Sequence, residues 1–116
     1  MAFDHLIAER IAVLLDRREI EYGRKHMFGG LAFMIGGKMS ICVVGDEIVV
    51  RCILERFETL IEELNMREMD FTGRPMKGFV YVEPGGFETE SQLDRLVDIA
   101  DEFGRLGVVG KKKKKS

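Results

Sequence analysis

Lys25 to Arg51 reads KHMFGGLAFMIGGKMSICVVGDEIVVR, short apolar runs cut by Gly29-Gly30, Gly36-Gly37 and Gly45-Asp46. Gly-Gly and Gly-Asp in two-residue loops suit the primed turns, whose twist matches that of paired antiparallel strands. Three such turns predict a four-stranded meander in which Phe28 opposes Leu31, Met34 opposes Met39 and Val44 opposes Glu47. Side chains alternate across a strand. This register therefore gathers Met27, Ala32, Met34, Met39, Ile41, Val43, Ile48, Val50 and Cys52 on one face. The other receives Phe28, Leu31, Phe33, Cys42, Val44 and Val49, with Ser40 and Arg51. Both faces are largely apolar and each needs a cover. Either the chain's own helices cover both, or they cover one while a second copy or another protein covers the rest.

Upstream, Phe3, Leu6, Ile7, Ile11, Leu14 and Leu15 form a stripe at helical spacing, opposed by Glu9, Arg10, Asp16 and Arg17. This predicts a helix from Asp4 to Arg18 that packs on the sheet. Downstream of Arg51 the apolar period lengthens to three or four, with Phe57, Leu60, Ile61 and Leu64 on one side, and predicts a short second helix ending at Asn65. Met66–Phe71 and Phe79–Glu83 read as a fifth and sixth strand, the latter stopped by Pro84-Gly85-Gly86. Thr89, with Gln92 three residues on, has the capping-box spacing and opens a last helix whose inward stripe is Leu93, Leu96, Val97, Ala100 and Phe103. The order α-β-β-β-β-α-β-β-α is that of an α+β domain with helices packed on an antiparallel sheet of about six strands, without a nucleotide-binding βαβ crossover.

At 116 residues the chain makes one domain, 1–106, followed by a Lys-rich tail, 107–116, expected to be disordered. Composition is that of a soluble globular protein, with 46% hydrophobic and 33% charged residues. The chain shows neither a spanning apolar run nor a basic leader ahead of an apolar stretch, which makes the cytoplasm the expected location and leaves no role at a membrane. Five of the 18 basic residues are Lys111 to Lys115, so the body carries 13 basic against 20 acidic residues, a net of −7. An acidic body is a poor match for a phosphate backbone, and direct DNA binding by it is not expected. The tail is the one segment suited to nucleic acid or acidic partners.

Chemistry is sparsely signalled. Cys42 and Cys52 fall on opposite faces and read as small buried hydrophobes, and His5 and His26 sit in no metal-ligand spacing. His26 reads as a rim residue of an edge strand. Asp46-Glu47 lies on a turn and Glu62-Glu63 on a helix surface, so neither pair suggests acid and base catalysis. Catalytic residues, metal ligands and cofactors are therefore not predicted. The most polar segment is FTGRPMKGF, Phe71 to Phe79, read as a loop whose Arg74 and Lys77 sit at a strand-loop-strand tip. With the amides near Gly73 and Gly78 these cations suit an anion; alternatively Thr72 and Asp70 tie the turn and the cations meet carboxylates. The spacing is not that of a phosphate loop. Arg51 ends a strand opposite Ser40 and either snorkels to the sheet edge or reaches Glu47 or Asp70. Met27, Met34 and Met39 read as core filler, whereas Met76, beside Pro75, is expected to be exposed to a partner.

Two segments carry a family resemblance. Met27-Phe28-Gly29-Gly30, the Gly37-Lys38-Met39 turn exit, Asp46 through Arg51, and above all MDFTGRPMKGFVYV at Met69 to Val82 resemble the N-terminal domain of the TfoX (Sxy) family of bacterial competence regulators, over roughly residues 4 to 105. The resemblance implies an α+β fold with an antiparallel sheet and a regulatory, non-enzymatic role. Full-length members add a C-terminal helical domain; here a Lys-rich tail alone is expected beyond the N-terminal-like domain. No catalytic or ligand residue carries over. Two classes of function follow. An interaction module, homodimeric or bound to another protein, would use Phe28, Leu31, Phe33 and Val49. A small-molecule or anion-binding protein would use Arg51, Arg74 and Lys77, with Met76 nearby.

Overall fold

The computed structural model describes residues 3–71 and 74–107, apart from the side chains of residues 71, 74 and 75. Helix α1 (His5–Arg17) leads into four strands, β1 (Gly23–Met27), β2 (Gly30–Ile35), β3 (Lys38–Val44) and β4 (Glu47–Arg51). Helix α2 (Leu54–Leu60), strands β5 (Met66–Phe71) and β6 (Arg74–Val82), a 3-10 turn at Pro84–Gly86 and helix α3 (Glu90–Leu106) complete the order. All strand pairs are antiparallel, in the sheet order β1-β2-β3-β4-β6-β5. The fold is thus the α+β arrangement expected, with the six strands and three helices in the expected sequence.

The helix ends follow their local chemistry. The Asp4 carboxylate accepts from the Leu6 and Ile7 amides at 2.8 and 3.3 Å, and caps α1. The Asp4 amide in turn donates to the Gly45 carbonyl at 2.8 Å, which moors the helix to the β3–β4 turn. Thr89 and Gln92 form the capping box of α3, at 3.0 and 2.9 Å. Helix α2 stops at Leu60, short of the expected Asn65, and Leu64 is left 88% exposed instead of joining the inward stripe. Asn65 adopts a left-handed φ of 70°, the conformation in which the chain reverses into β5.

Two of the three hairpin bends lie where the glycines placed them. Gly36 and Gly37 carry φ of 64° and 77° between Ile35 and Lys38, and Met34 faces Met39; Gly45 carries φ of 59°, and Val44 faces Glu47. The first bend lies one residue earlier than expected. Met27 pairs with Gly30 and His26 with Leu31, so the turn residues are Phe28, at φ 56°, and Gly29. Gly30 is drawn into the strand because a Cβ there would come 1.9 Å from the Val43 carbonyl oxygen, an approach only glycine permits.

Face assignment also needs correction. Between Phe33 and Met34 the β2–β3 register shifts, so that Phe33 pairs with Ile41 and Ser40 is the extra residue of a bulge. One extra residue inverts every side chain beyond it. Leu31 and Phe33 therefore join Ile41, Val43, Ile48, Val50 and Cys52 on the helix-covered face, packed with Ile11, Leu15, Phe57, Leu93, Leu96 and Val97. Ala32, Met39, Cys42, Val49, Met69 and Phe79 form the second cluster, with Met27, Phe28, Met34, Val44, Met76 and Tyr81 partly buried at its rim.

That second cluster consists wholly of residues from the strands and their turns. The sheet covers it by curling. Phe28, in the β1–β2 hairpin, and Phe79, on β6, belong to strands about 14 Å apart in a flat sheet, yet their rings meet edge to face at 6.3 Å. Ala32, Cys42, Val49 and Met69 are consequently fully buried. The face for which the helices, a second copy or another protein were the expected covers is thus lined by a small core of its own, and Met76 is half-buried against it rather than exposed.

Candidate functional site

The polar segment at 71–79 is mostly strand. Residues from Arg74 onward pair with β5, while Thr72 and Gly73 lie outside the described residues, as does the Arg74 side chain. Glu68 pairs with Val80 but Met69 pairs with Met76, so Lys77, Gly78 and Phe79 have no counterpart on β5. Gly78 takes φ 91° within this wide bulge, and its carbonyl accepts from the Cys52 amide at 2.8 Å. The bulge swings Lys77 away from the β5 ladder and toward the end of β4. There Arg51, Lys77 and Gly78 line one cavity of about 640 Å³ with Leu54, Phe103 and Leu106. Two of the three cations singled out in the sequence are thus brought together; the side chain of the third, Arg74, lies outside the described residues.

Arg51 reaches neither Glu47 nor Asp70. Its guanidinium carbon lies 4.4 Å from the ring centroid of Phe79 and 4.4 Å from that of Phe103. Stacking on two rings at this distance is a strong cation–π arrangement. Burial lowers the Arg51 pKa from its ordinary value, and among the described residues no carboxylate offsets it. Glu47 is taken instead by Arg67, which also pairs with Glu83 at 3.1 Å and stacks on Tyr81 at 4.5 Å.

Phe103 holds this position because α3 closes tightly on the β2–β3 turn. A Cβ on Gly36 would lie 2.5 Å from the Gly104 carbonyl oxygen, and one on Gly104 would lie 2.4 Å from the Ile35 Cγ2. The Lys38 ammonium donates to the Gly104 carbonyl at 2.9 Å and sits over the Phe103 ring. Nothing in the sequence pairs Gly104 with Gly36.

A second concavity runs between α1 and α3. It has a volume of about 490 Å³ and is lined by Leu6, Glu9, Arg10, Val13, Leu14, Arg17, Glu90 and Leu93. Leu6, expected to point inward, is 73% exposed, and Val13 is 42% exposed. The inward positions of α1 go instead to Ile7, Ala8, Ile11, Leu14 and Leu15. Arg17 bridges the groove to Glu90 at 2.7 Å, while Arg18 ties α1 to Asp94 and Asp98 of α3.

Of the residues named for the interaction module, Leu31 and Phe33 lie beneath the helices, Val49 is at the centre of the second cluster, and Phe28 is half-buried on Phe79. Both cysteines are free and buried on opposite faces, as the register implied, with thiols pushed up to about 12 for Cys42 and about 11 for Cys52 by desolvation. His26 is exposed on β1, an edge strand, near the Phe3 ring. Among the described residues no three His, Cys, Asp or Glu side chains gather as a metal-holding group, and no helix is long and apolar enough to cross a membrane.

Comparison with known families finds one match, the TfoX N-terminal domain, over residues 17–103. No curated protein and no solved structure matches the chain.

Proposed function

The chain belongs to the TfoX N-terminal domain family, and from that premise we propose a small non-enzymatic regulatory domain, of the competence-regulator kind and cytoplasmic, that works by protein contact. Its contact surface is the groove between α1 and α3, and its first partner is a second copy of itself. The observation that carries this reading is the outward display of Leu6 and Val13 on the helix rim of an apolar groove floored by Leu14 and Leu93. Single exposed hydrophobes are ordinary, but two on one helix face beside a groove mark a contact site.

The face is self-complementary. Residues 6, 9 or 10, and 13 recur along one side of a helix. If two copies of α1 cross antiparallel about a two-fold axis midway between residues 9 and 10, Leu6 meets Val13 of the other copy and Glu9 meets Arg10. An isologous interface requires such a pattern. Helix α1, at 13 residues, is about 20 Å long. A contact of that length falls at or below the low end of stable interfaces, so the association is weak, with a Kd of roughly 10–100 µM.

Sedimentation velocity over a concentration series, up to a few hundred micromolar, tests it. A reversible dimer is expected for the natural chain and a monomer for the Leu6→Asp, Val13→Asp double variant, whose substituted positions are both exposed. A natural chain that stays monomeric throughout, or a double variant that dimerises equally well, overturns the proposal.

A further inference from the structure

We propose that the cavity at the end of β4 is a binding site for a small organic carboxylate with an apolar body, the carboxylate on the edge of Arg51 and the body between Leu54 and Leu106. The site is remote from the α1 groove and its test does not depend on dimerisation.

Guanidinium chemistry sets the first part. The Phe79 and Phe103 rings each lie against the Arg51 guanidinium, with centroids 4.4 Å from its carbon. An anion is met at the edge, where a guanidinium carries its N–H donors in a fork that fits a carboxylate with two parallel hydrogen bonds. Six of the other arginines show what this one lacks, whereas Arg10 donates to the Phe87 carbonyl at 2.9 Å and Arg24 lies over the Phe33 ring at 5.7 Å without an ion pair among the described residues. Arg17, Arg18, Arg56, Arg67, Arg95 and Arg105 each hold a carboxylate of the chain. Arg51, more deeply set than these exposed groups, has no ion pair among the described residues. A partly desolvated cation with its donors unspent is a receptor for an anion from outside. Lys77, exposed on the β6 bulge, supplies a second positive charge to the same cavity, against a single carboxylate, Glu55, at its lining.

Apolar walls set the second part. Leu54 and Leu106 are 64% and 61% exposed where they face this cavity, and Ile53 and the Phe103 ring add to its lining. Two exposed leucines flanking two cations suit an amphipathic anion better than a hydrated inorganic one. The volume of about 640 Å³ is within the usual range for small-molecule sites, about 300–1,000 Å³. Backbone at Gly78 and Gly107 borders the cavity and offers local reporters.

The experiment is a ¹H–¹⁵N NMR titration of the full chain with hexanoate, acetate and inorganic phosphate, following the Gly78 and Gly107 amides and the Arg51 Nε–H. Hexanoate is expected to give saturable shifts at all three, with affinity at least ten-fold above that of acetate and above that of phosphate. Arg51→Gln should abolish the shifts at the two glycines. Lys77→Ala, at an exposed position that leaves the aromatic stack intact, should weaken hexanoate about three-fold. Absence of saturable shifts, phosphate binding as tightly as hexanoate, or an unchanged affinity in the Lys77→Ala variant overturns the site.

Discussion

The close approach of α3 to the β2–β3 turn is tested by two adjacent glycines that differ in one respect. Gly36 and Gly37 both hold left-handed φ, at 64° and 77°. An alanine at either position costs about 1–2 kcal/mol for that conformation alone. Around Gly37 nothing lies within 4 Å of an added Cβ, so the strain is the whole effect. At Gly36 the added Cβ meets the Gly104 carbonyl oxygen at 2.5 Å, a backbone atom that moves only if the last turn of α3 moves. Overpacking of this kind adds about 1–3 kcal/mol, which puts Gly36→Ala at about 2–5 kcal/mol. Urea unfolding followed by circular dichroism gives both values, and the difference between them, about 1–3 kcal/mol, isolates the contact. Shifting α3 also moves Phe103 from Arg51, so the Arg51 Nε–H resonance should change in Gly36→Ala and stay in Gly37→Ala. Two variants equal within about 0.5 kcal/mol, the usual scatter of independent sites, would show that α3 does not rest on this turn.

Two further outcomes follow from caps and thiols. Thr89→Ala removes the hydroxyl that accepts from the Gln92 amide, one of the two hydrogen bonds of the capping box, and should lower stability by about 1 kcal/mol, read as a shift in the urea midpoint at constant slope. The thiols of Cys42 and Cys52, pushed up by burial to about 12 and about 11, should resist a thiol-specific chromogenic reagent at pH 8 until denaturant is added. Because the folded values are raised, this stabilisation is fully present below the unfolded thiol value of about 8.5 and is lost as the pH rises from there toward the folded values. Cys42→Ala should therefore flatten the alkaline decline relative to the natural chain, and equal declines would place that thiol in water.

The order of elements was legible because its signals are local. Glycine pairs, the Thr89–Gln92 spacing and the change of apolar period each act within a few residues, and the structure places helices and strands accordingly. What escaped was the phase of β3. In Lys38 to Val44 every residue after Ser40 is apolar, so the run lacks the alternation from which a face is read. The bulge at Ser40 reverses β2 against the faces of β3 and β4, and it moves Leu31 and Phe33 under the helices. Gly30 reads as a turn residue because its real constraint, the Val43 carbonyl, lies thirteen positions away. Long-range contact also explains why Arg51 was half understood. A lone cation on an apolar strand was conspicuous, but its partners Phe79 and Phe103 come from β6 and from the end of α3.

The departures from local pattern bear on function. Where the sequence is locally consistent, as at the Thr89–Gln92 cap of α3, the result is scaffold. Where a local rule is broken, the structure builds a feature that faces outward. The wide bulge on β6, with Gly78 at φ 91°, presents Lys77 to the cavity beside Arg51. On α1 the Asp4 cap fixes the phase of the helix, and Leu6, one residue before the buried Ile7, is turned to water. Bulges and strained positions that cost stability persist where the surrounding structure over-determines them, and they concentrate at functional sites. The β4 end meets that description on three counts at once: a bulge, a left-handed glycine and a cation with unspent donors. That convergence sets it apart from the remaining surface, where the exposed cations of α2 and α3 are spent on neighbouring carboxylates such as Glu102, Glu63 and Asp101.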